Sequence, residues 1–330
     1  MNAVLTANRP SPSRPPPTGR PSARRLGGWG DTFFKNLTLI FALSILVIAA
    51  AIAWQLWKNS ALSRHAFGWK FLTQQIWDPV AEHFGALPFV YGTLVSSAIA
   101  LIIAVPLGVG VAIFLSELAP RKVSDVCAFL IELLAAIPSV VYGLIGVFVL
   151  VPMMRVHVQP FLMKTLGFLP LFRGPAYGVG MLTAGIVLAI MIVPFITTIS
   201  REIFMSVPSA LKEAAMALGA THWEVVRLAV LPYARSGIAG SVFLALGRAL
   251  GETMAVTMVI GNRPEVAASL LAPGYTMAAV LANEFTEATS DLYVQTLVQI
   301  GLVLFVITIL VNAIGRLILY KMTPQGESHE

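Results

Sequence analysis

Long apolar blocks separated by polar segments dominate the hydrophobic pattern of this chain. The first block, residues 36–57, has 22 residues and no formal charge. A helix of that length measures about 33 Å, which is enough to cross a hydrocarbon core of about 30 Å. Five further blocks each provide 20 or more largely apolar residues: Tyr91–Glu117, Asp125–Met154, Tyr177–Ser200, Gly237–Gly261 and Leu292–Tyr320. The pattern therefore predicts an all-α membrane protein with six transmembrane helices.

The polar segments divide the rest of the chain. Residues 1–35 are rich in proline and arginine and predict a disordered basic tail, serving either as a binding arm or as a signal that holds this end in the cytoplasm. Residues 36–57 could also be a cleaved signal peptide, but the block exceeds the 7–15 apolar residues of such a segment, which favours an uncleaved first helix. Residues 58–90 predict a periplasmic segment, residues 91–320 a core of five helices, and residues 321–330 a second cytoplasmic tail.

The distribution of lysine and arginine predicts the orientation. With the N-terminus inside, the cytoplasmic segments hold 14 of these residues and the external segments hold 7. Because cytoplasmic loops are enriched in positive charge, both termini are expected in the cytoplasm.

Composition supports the membrane assignment. The chain is 57% hydrophobic and 12% charged, whereas a typical soluble domain has about 25% charged residues. This composition excludes collagen, disulfide scaffolds, disordered chains and water-soluble enzymes, and predicts membrane lipid as the surroundings. The net charge of +6 lies beside the apolar blocks, so we expect no nucleic-acid partner.

The reactive residues predict neither a metal site nor a catalytic site. The chain has one cysteine, Cys127, and five scattered histidines, so neither a disulfide nor a cysteine–histidine cluster is expected. No segment fits the phosphate-binding loop G-x-x-x-x-G-K-[ST]. We therefore expect no cofactor and no enzymatic activity.

The segment of residues 201–235 contains the clearest local signals. Ser209 is a potential helix cap, Gly219 a potential left-handed stop, and the sequence Thr221–Glu224 fits a capping box. Pro232 is expected to end the second helix. The predicted unit is a cytoplasmic helical hairpin, which either docks into a soluble partner or rests on the lipid surface.

This hairpin resembles the EAA loop of ABC-importer permeases, the coupling helix that enters a cleft of the ATPase subunit. The resemblance rests on Glu213-Ala214-Ala215, on Gly219 and on Leu231-Pro232, while Ala229 departs from the larger aliphatic residue usual there. It implies that Glu213, Ala214, Ala215 and Gly219 contact a separate ATPase. Residues 91–320 would then form an ABC-importer permease core.

Three longer blocks resemble the PstC-type permeases of bacterial phosphate importers: Phe84–Pro120, Ile131–Leu144 and Gly247–Asn262. That resemblance implies an inner-membrane permease that moves inorganic phosphate. It also implies a PstA-like second permease, a PstB-like ATPase dimer and a PstS-like periplasmic phosphate-binding protein.

Four polar residues inside the blocks are candidates for the substrate pathway. Arg248 and Glu252 are four residues apart, which predicts one helix face and a pairing distance. Arg248 could bind the oxyanion while Glu252 holds it in place, or the two could form a structural ion pair. Glu132 and Ser139 are placed in the third span near Pro138; like Pro106 and Pro194, Pro138 either kinks its helix or breaks it beside a polar path.

Two alternatives to phosphate import remain open at this point. Arg248 would serve sulfate or molybdate equally well, so a permease for another oxyanion fits the same residues. An ion-coupled secondary transporter is the more distant alternative, against which the EAA loop argues.

Overall fold

The computed structural model of the protein describes residues 29–322. The predicted tails, residues 1–35 and 321–330, lie outside this range except for residues 29–35 and 321–322, which are helical. The chain divides into two units, Met1–Ala51 and Ile52–Glu330. The described residues of the first unit all belong to the first helix, and the second unit contains the elements discussed below.

Helices form nearly all of the described chain. The α-helices are α1 (Trp29–Asn59), α2 (Ala61–Phe67), α3 (Leu87–Ile113), α4 (Arg121–Ala135), α5 (Ser139–Ile145), α6 (Val151–Met153), α7 (Gln159–Leu166), α8 (Met181–Met205), α9 (Ser209–Ala217), α10 (His222–Val225), α11 (Leu231–Leu250), α12 (Met254–Ile260), α13 (Met277–Glu284) and α14 (Asp291–Met322). Short π-helices extend or join several of them: Phe114–Leu118, Gly146–Leu150, Met154–Val158 and Val226–Val230. Two 3₁₀ turns, Gly68–Leu72 and Pro170–Phe172, and a two-strand ribbon of β1 (Trp77–Asp78) and β2 (His83–Phe84) complete the list.

The prediction of six membrane spans is confirmed. Within residues 29–322, six continuous helical stretches are long and apolar enough to cross a membrane: Gly30–Asn59, Leu87–Leu118, Ser139–Leu166, Met181–Met205, His222–Leu250 and Asp291–Lys321. Each overlaps one predicted block, although three of them differ from the prediction in ways that matter for the fold.

The first helix begins earlier than the predicted block of residues 36–57. It starts at Trp29 and includes residues 29–35, which the sequence assigned to the disordered tail. Asp31 lies in its first turn, where a negative charge interacts favourably with the helix dipole.

The third and fifth predicted spans are each broken in two. The predicted helix Asp125–Met154 is interrupted at residues 136–138, and the predicted helix Gly237–Gly261 is interrupted at residues 251–253. Pro138 accounts for the first break, because the residue before a proline disfavours the helical conformation. Pro106 and Pro194, by contrast, lie inside α3 and α8, and both helices continue past them.

Helices α3 and α8 form the centre of the membrane-embedded core. A side chain at Gly108 of α3 would come within 2.9 Å of Ile196, and one at Gly185 of α8 within 2.5 Å of Ile99. The Thr197 hydroxyl of α8 also donates to the Gly108 carbonyl at 3.2 Å. Small residues on both helices thus permit close backbone approach, the arrangement typical of helix pairs in membranes.

The predicted external segment, residues 58–90, has a compact structure. Trp77 and Phe84 are paired across the ribbon, and their rings are 4.8 Å apart. Glu284 of α13 accepts hydrogen bonds from the Trp77 indole at 2.8 Å and from the Tyr293 hydroxyl at 2.6 Å. At the end of α3 nearest this cluster, a side chain at Gly92 would collide with the Tyr275 carbonyl oxygen, and the Thr93 hydroxyl accepts from the Met277 backbone.

Candidate functional site

The predicted hairpin is present between α8 and α11. Helix α9 ends at Ala217, and Gly219 has φ +88°, the left-handed conformation that glycine adopts without strain. The Thr221 side chain accepts from the Glu224 backbone, and the Glu224 carboxylate accepts from the Thr221 backbone at 2.8 Å. The glycine stop and the capping box were therefore correctly predicted.

Two local details of the hairpin differ from prediction. Ser209 is the first residue of α9 and makes no capping hydrogen bond, because Pro208 occupies the cap position. Pro232 does not end the second helix; the helix runs from His222 to Leu250. The π-helix Val226–Val230 ends two residues before Pro232, and such an irregular turn accommodates the absence of the N–H that proline lacks.

The face of the hairpin around the predicted coupling residues is exposed. Glu213, Ala214 and Gly219 are exposed, and Leu218 is 90% exposed. Ala215 is half-buried and packs against a cluster that contains Val225 and Val230 of the hairpin. In this chain the Glu213 carboxylate has no hydrogen-bond or ion-pair partner among residues 29–322. The hairpin thus presents an acidic group and apolar surface outward.

A polar layer lies where α3, α4, α8 and α9 meet. Lys212 of α9 donates to Glu117, in the π-helix that extends α3, at 2.6 Å, and both side chains are mostly buried. Arg201 of α8 lies 3.9 Å from Asp125 and donates to the Ser124 hydroxyl at 3.3 Å. The hydroxyl of Ser124 in turn donates to the Leu115 carbonyl at 2.7 Å. In the sequence, Lys212 and Arg201 served only to predict the orientation of the chain. The layer itself was not predicted, because the residues that pair in it are far apart along the chain.

Glu132 lies in this part of the molecule, on the helix before the break and not on the helix that contains Ser139. It belongs to α4, which precedes the break at residues 136–138, and it lines a small cavity together with Thr197, Thr198 and Arg201. The break at residues 136–138 thus places Glu132 and Ser139 on different helices, whereas the sequence had predicted one continuous span.

The sequence had predicted that Arg248 and Glu252 share one helix. The structure places them on either side of a helix break. Helix α11 ends at Leu250, and the Glu252 carboxylate accepts from the Ala255 backbone at 3.2 Å, at the start of α12. No ion pair joins Arg248 to Glu252, and Arg248 is exposed without a hydrogen-bond partner among residues 29–322. The carboxylate satisfies a backbone N–H that the helix break leaves free.

The two helix breaks lie close to each other. Helix α12 packs against α5, where a side chain at Gly143 would come within 3.2 Å of the Ala255 Cα and one at Gly146 within 2.7 Å of Val259. The later residue of the first stretch, Gly146, contacts the later residue of α12, Val259. Helix α5, with the π-helix that continues it, therefore runs parallel to α12, and both begin at the same end. Ser139, the first residue of α5, and Glu252 therefore lie at that end.

Arg248 also belongs to this region. It lies in the last turn of α11, directly before the break at residues 251–253. The Tyr142 hydroxyl donates to the Leu134 carbonyl at 2.6 Å and so connects α5 to the end of α4. The structure thus brings Arg248, Glu252 and Ser139 to one region, the helix-break region, while the side chain of Glu132 lies beside Thr197, Thr198 and Arg201. Among residues 29–322, no three histidine, cysteine, aspartate or glutamate side chains are grouped to hold a metal ion.

Known proteins resemble this chain over most of its length. It is 51% identical over 296 residues to the phosphate transport system permease protein PstC of Mesorhizobium japonicum, covering 88% of this chain and 90% of that protein. It is 49% identical over 298 residues to the protein of the same name from Haemophilus influenzae, covering 89% and 94%. Both alignments are long enough to include the hairpin and the helix-break region.

Similarity in fold extends to more distant transporters. An inward-facing structure of the MetNI methionine ABC transporter matches with a TM-score of 0.52 at 19% identity, covering 75% of this chain and 100% of that chain. The model of the family described as binding-protein-dependent transport system inner membrane component matches residues 104–324. This chain therefore belongs to the family of inner-membrane components of binding-protein-dependent transport systems.

Proposed function

We propose that this chain is the permease subunit that carries inorganic phosphate across the inner membrane in an ATP-driven importer. The similarity to two phosphate transport permeases over about nine tenths of this chain and of each relative carries the proposal. The chain is a multi-pass transport component and not an enzyme, and it works in an ABC transporter with ATPase and other subunits. We infer the particular partners to be a PstB-like ATPase dimer, a PstA-like second permease and a PstS-like phosphate-binding protein.

We assign the hairpin to energy coupling. Glu213, Ala214, Ala215 and Gly219 lie on or beside an exposed surface that a soluble subunit can reach, and small residues permit its close approach. The excess of lysine and arginine in the segments on this side of the spans supports a cytoplasmic hairpin and both termini in the cytoplasm. ATP-driven closure of the ATPase dimer would then move α9 and, with it, the spans.

We assign the helix-break region to the substrate pathway, with Arg248 as its principal phosphate-binding group. A guanidinium stays charged at every physiological pH, and its planar set of donors matches the oxygens of a phosphate. Arg248 is exposed and unpaired within the described residues, so its donors are free for an anion. Ser139 contributes a hydroxyl in the same region, and Glu252 serves mainly to cap α12.

We do not include Glu132 among the groups of the helix-break region. It lies beside Arg201 at the polar layer, on the far side of the break at residues 136–138. The pathway must release its substrate in both conformations of the cycle, so we expect weak binding here and tight binding in the external phosphate-binding protein.

Uptake of labelled phosphate in cells that lack and then regain this chain tests the substrate assignment. We expect the chain to restore uptake, and we expect excess unlabelled phosphate to block it while sulfate and molybdate do not. Cells with the empty vector are the control. Restored uptake that sulfate or molybdate blocks would instead identify a permease for another oxyanion.

A further inference from the structure

The ion pair between Lys212 and Glu117 joins two elements that are far apart in sequence. Lys212 directly precedes Glu213 in α9, and Glu117 lies in the π-helix at the end of α3, 95 residues earlier. The nitrogen–oxygen distance is 2.6 Å, and the side chains of Lys212 and Glu117 are 22% and 11% exposed. A hydrogen bond between two ionised groups is about twice as strong as a neutral one, and removing one partner of a mostly buried pair leaves the other charge without compensation.

Helix α9 has few other attachments to the membrane spans. No residue of α9 is fully buried, and only Ala215 packs against the neighbouring apolar cluster. Among residues 29–322, the Lys212 bond is the only side-chain hydrogen bond from α9 to another element. The remaining connection to α8 is the short backbone segment of residues 206–208.

The element that Glu117 belongs to is firmly held along its length. Helix α3 packs closely against α8 through Gly108 and Gly185, as described above. At its opposite end, α3 approaches the Tyr275 backbone through Gly92 and bonds Met277 through Thr93. We therefore expect a displacement of Glu117 to move α3 and α8 together, since close contacts hold α3 from this end to the opposite end.

We propose that the Lys212–Glu117 pair is the positioning contact through which α9 moves the α3–α8 helix pair. Helix α9 is joined to this helix pair twice, covalently to α8 and electrostatically to α3. With both attachments, movement of α9 displaces the two spans as one body. With the backbone attachment alone, the same movement is absorbed by rotation in residues 206–208. The inference rests on the proposed role of the hairpin in energy coupling.

The test is the number of ATP molecules hydrolysed per phosphate transported, measured with the whole transporter in proteoliposomes. The variants are Glu117→Gln, Lys212→Met and the charge exchange Glu117→Lys with Lys212→Glu. We expect each single variant to lower uptake about tenfold while ATP hydrolysis continues, which is the size of a typical coupling between distant sites. The charge exchange restores the pair and should recover at least half of the uptake.

Glu202→Gln is the matched control. Glu202 is an exposed acidic residue near the end of α8 with no side-chain partner among residues 29–322. It should leave uptake and the ATP ratio unchanged, and the ATPase subunit should co-purify with every variant in equal amount.

The outcomes separate this inference from the proposed function. If the unaltered transporter moves no phosphate, the proposed function is wrong. If it moves phosphate and both single variants keep its ATP ratio, the positioning role is wrong. Loss of coupling that the charge exchange does not recover also overturns it, because a role based on pairing must survive reversal of the two charges. Where a single variant fails to assemble, the charge exchange alone decides, since a coupled transporter supports the pair and an uncoupled one refutes it.

Discussion

At the polar layer beside the hairpin, Lys212 and Arg201 each lie near a carboxylate, whereas Arg248 in the helix-break region has no such partner among residues 29–322. Pairing reduces the free-energy cost of an ion that is withdrawn from water. An unpaired arginine at the centre of a membrane helix costs about 2.5–3.5 kcal/mol on insertion scales. We therefore propose that the paired charges hold helices together, while Arg248 serves an anionic ligand.

The largest expected effect comes from removing the unpaired charge. Arg248→Gln should lower phosphate uptake about a hundredfold, because a hydrogen bond to a charged group contributes about 1.5–3 kcal/mol. The amount of assembled transporter should not change, since Arg248 supports no other element among residues 29–322. The measurement is initial uptake rate at matched expression.

Arg316→Gln is the control for that variant. Arg316 is another exposed arginine, in α14, and its removal should leave uptake unchanged. Normal uptake by Arg248→Gln would place phosphate elsewhere and remove the functional distinction between the two regions.

The next largest effect is expected at the turn of the hairpin. Gly219→Ala places a Cβ on a residue with φ +88°, which costs about 1–2 kcal/mol for any residue other than glycine. We expect more ATP hydrolysed per phosphate transported. Gly240→Ala is the matched control, since its Cβ also meets open space but its backbone is helical. An equal ATP ratio in both variants would show that the turn geometry does not matter for coupling.

Removing the capping box should have a smaller effect. Thr221→Ala deletes the hydroxyl that accepts from the Glu224 backbone, a loss of about 1 kcal/mol. The expected result is faster proteolytic cleavage within residues 206–225, with uptake reduced less than in Gly219→Ala. Thr221→Ser keeps the acceptor and should behave as the unaltered chain does. If the Thr221→Ser and Thr221→Ala variants are cleaved equally fast, the cap does not stabilise the hairpin.

The smallest effect is expected for Glu252→Gln. The glutamine side-chain oxygen can still accept from the Ala255 backbone, so uptake should stay within about threefold of the unaltered rate. The sequence-based expectation of an Arg248–Glu252 pair predicts a loss as large as that of Arg248→Gln. Comparing the two variants at equal expression decides between these accounts.

The sequence predicted those features of the fold that depend on neighbouring residues. The six apolar blocks, the left-handed Gly219 and the Thr221–Glu224 capping box were all correctly predicted, because each depends on composition or on contacts within four residues. The family resemblance also predicted functional roles for the hairpin and for the segment around Arg248.

The features that were missed depend on contacts between distant segments. The break near Gly251 could not be distinguished from a continuous helix, because apolar sequence continues on both sides and the Glu252 cap forms only once the helix opens. The partner of Lys212 lies 95 residues away, and nothing in the local pattern around Glu117 indicates it. The prediction that Pro232 ends the second helix was wrong, because the local sequence does not indicate the π-helix that precedes this proline.

Phosphate uptake by the purified transporter in proteoliposomes tests the central claim most directly, with ATP and the ion gradient controlled separately. The account predicts uptake that requires ATP, the ATPase subunit and the external phosphate-binding protein, and that continues when ionophores remove the gradient. Uptake that proceeds without ATP and stops when the gradient collapses would contradict the account and identify an ion-coupled transporter.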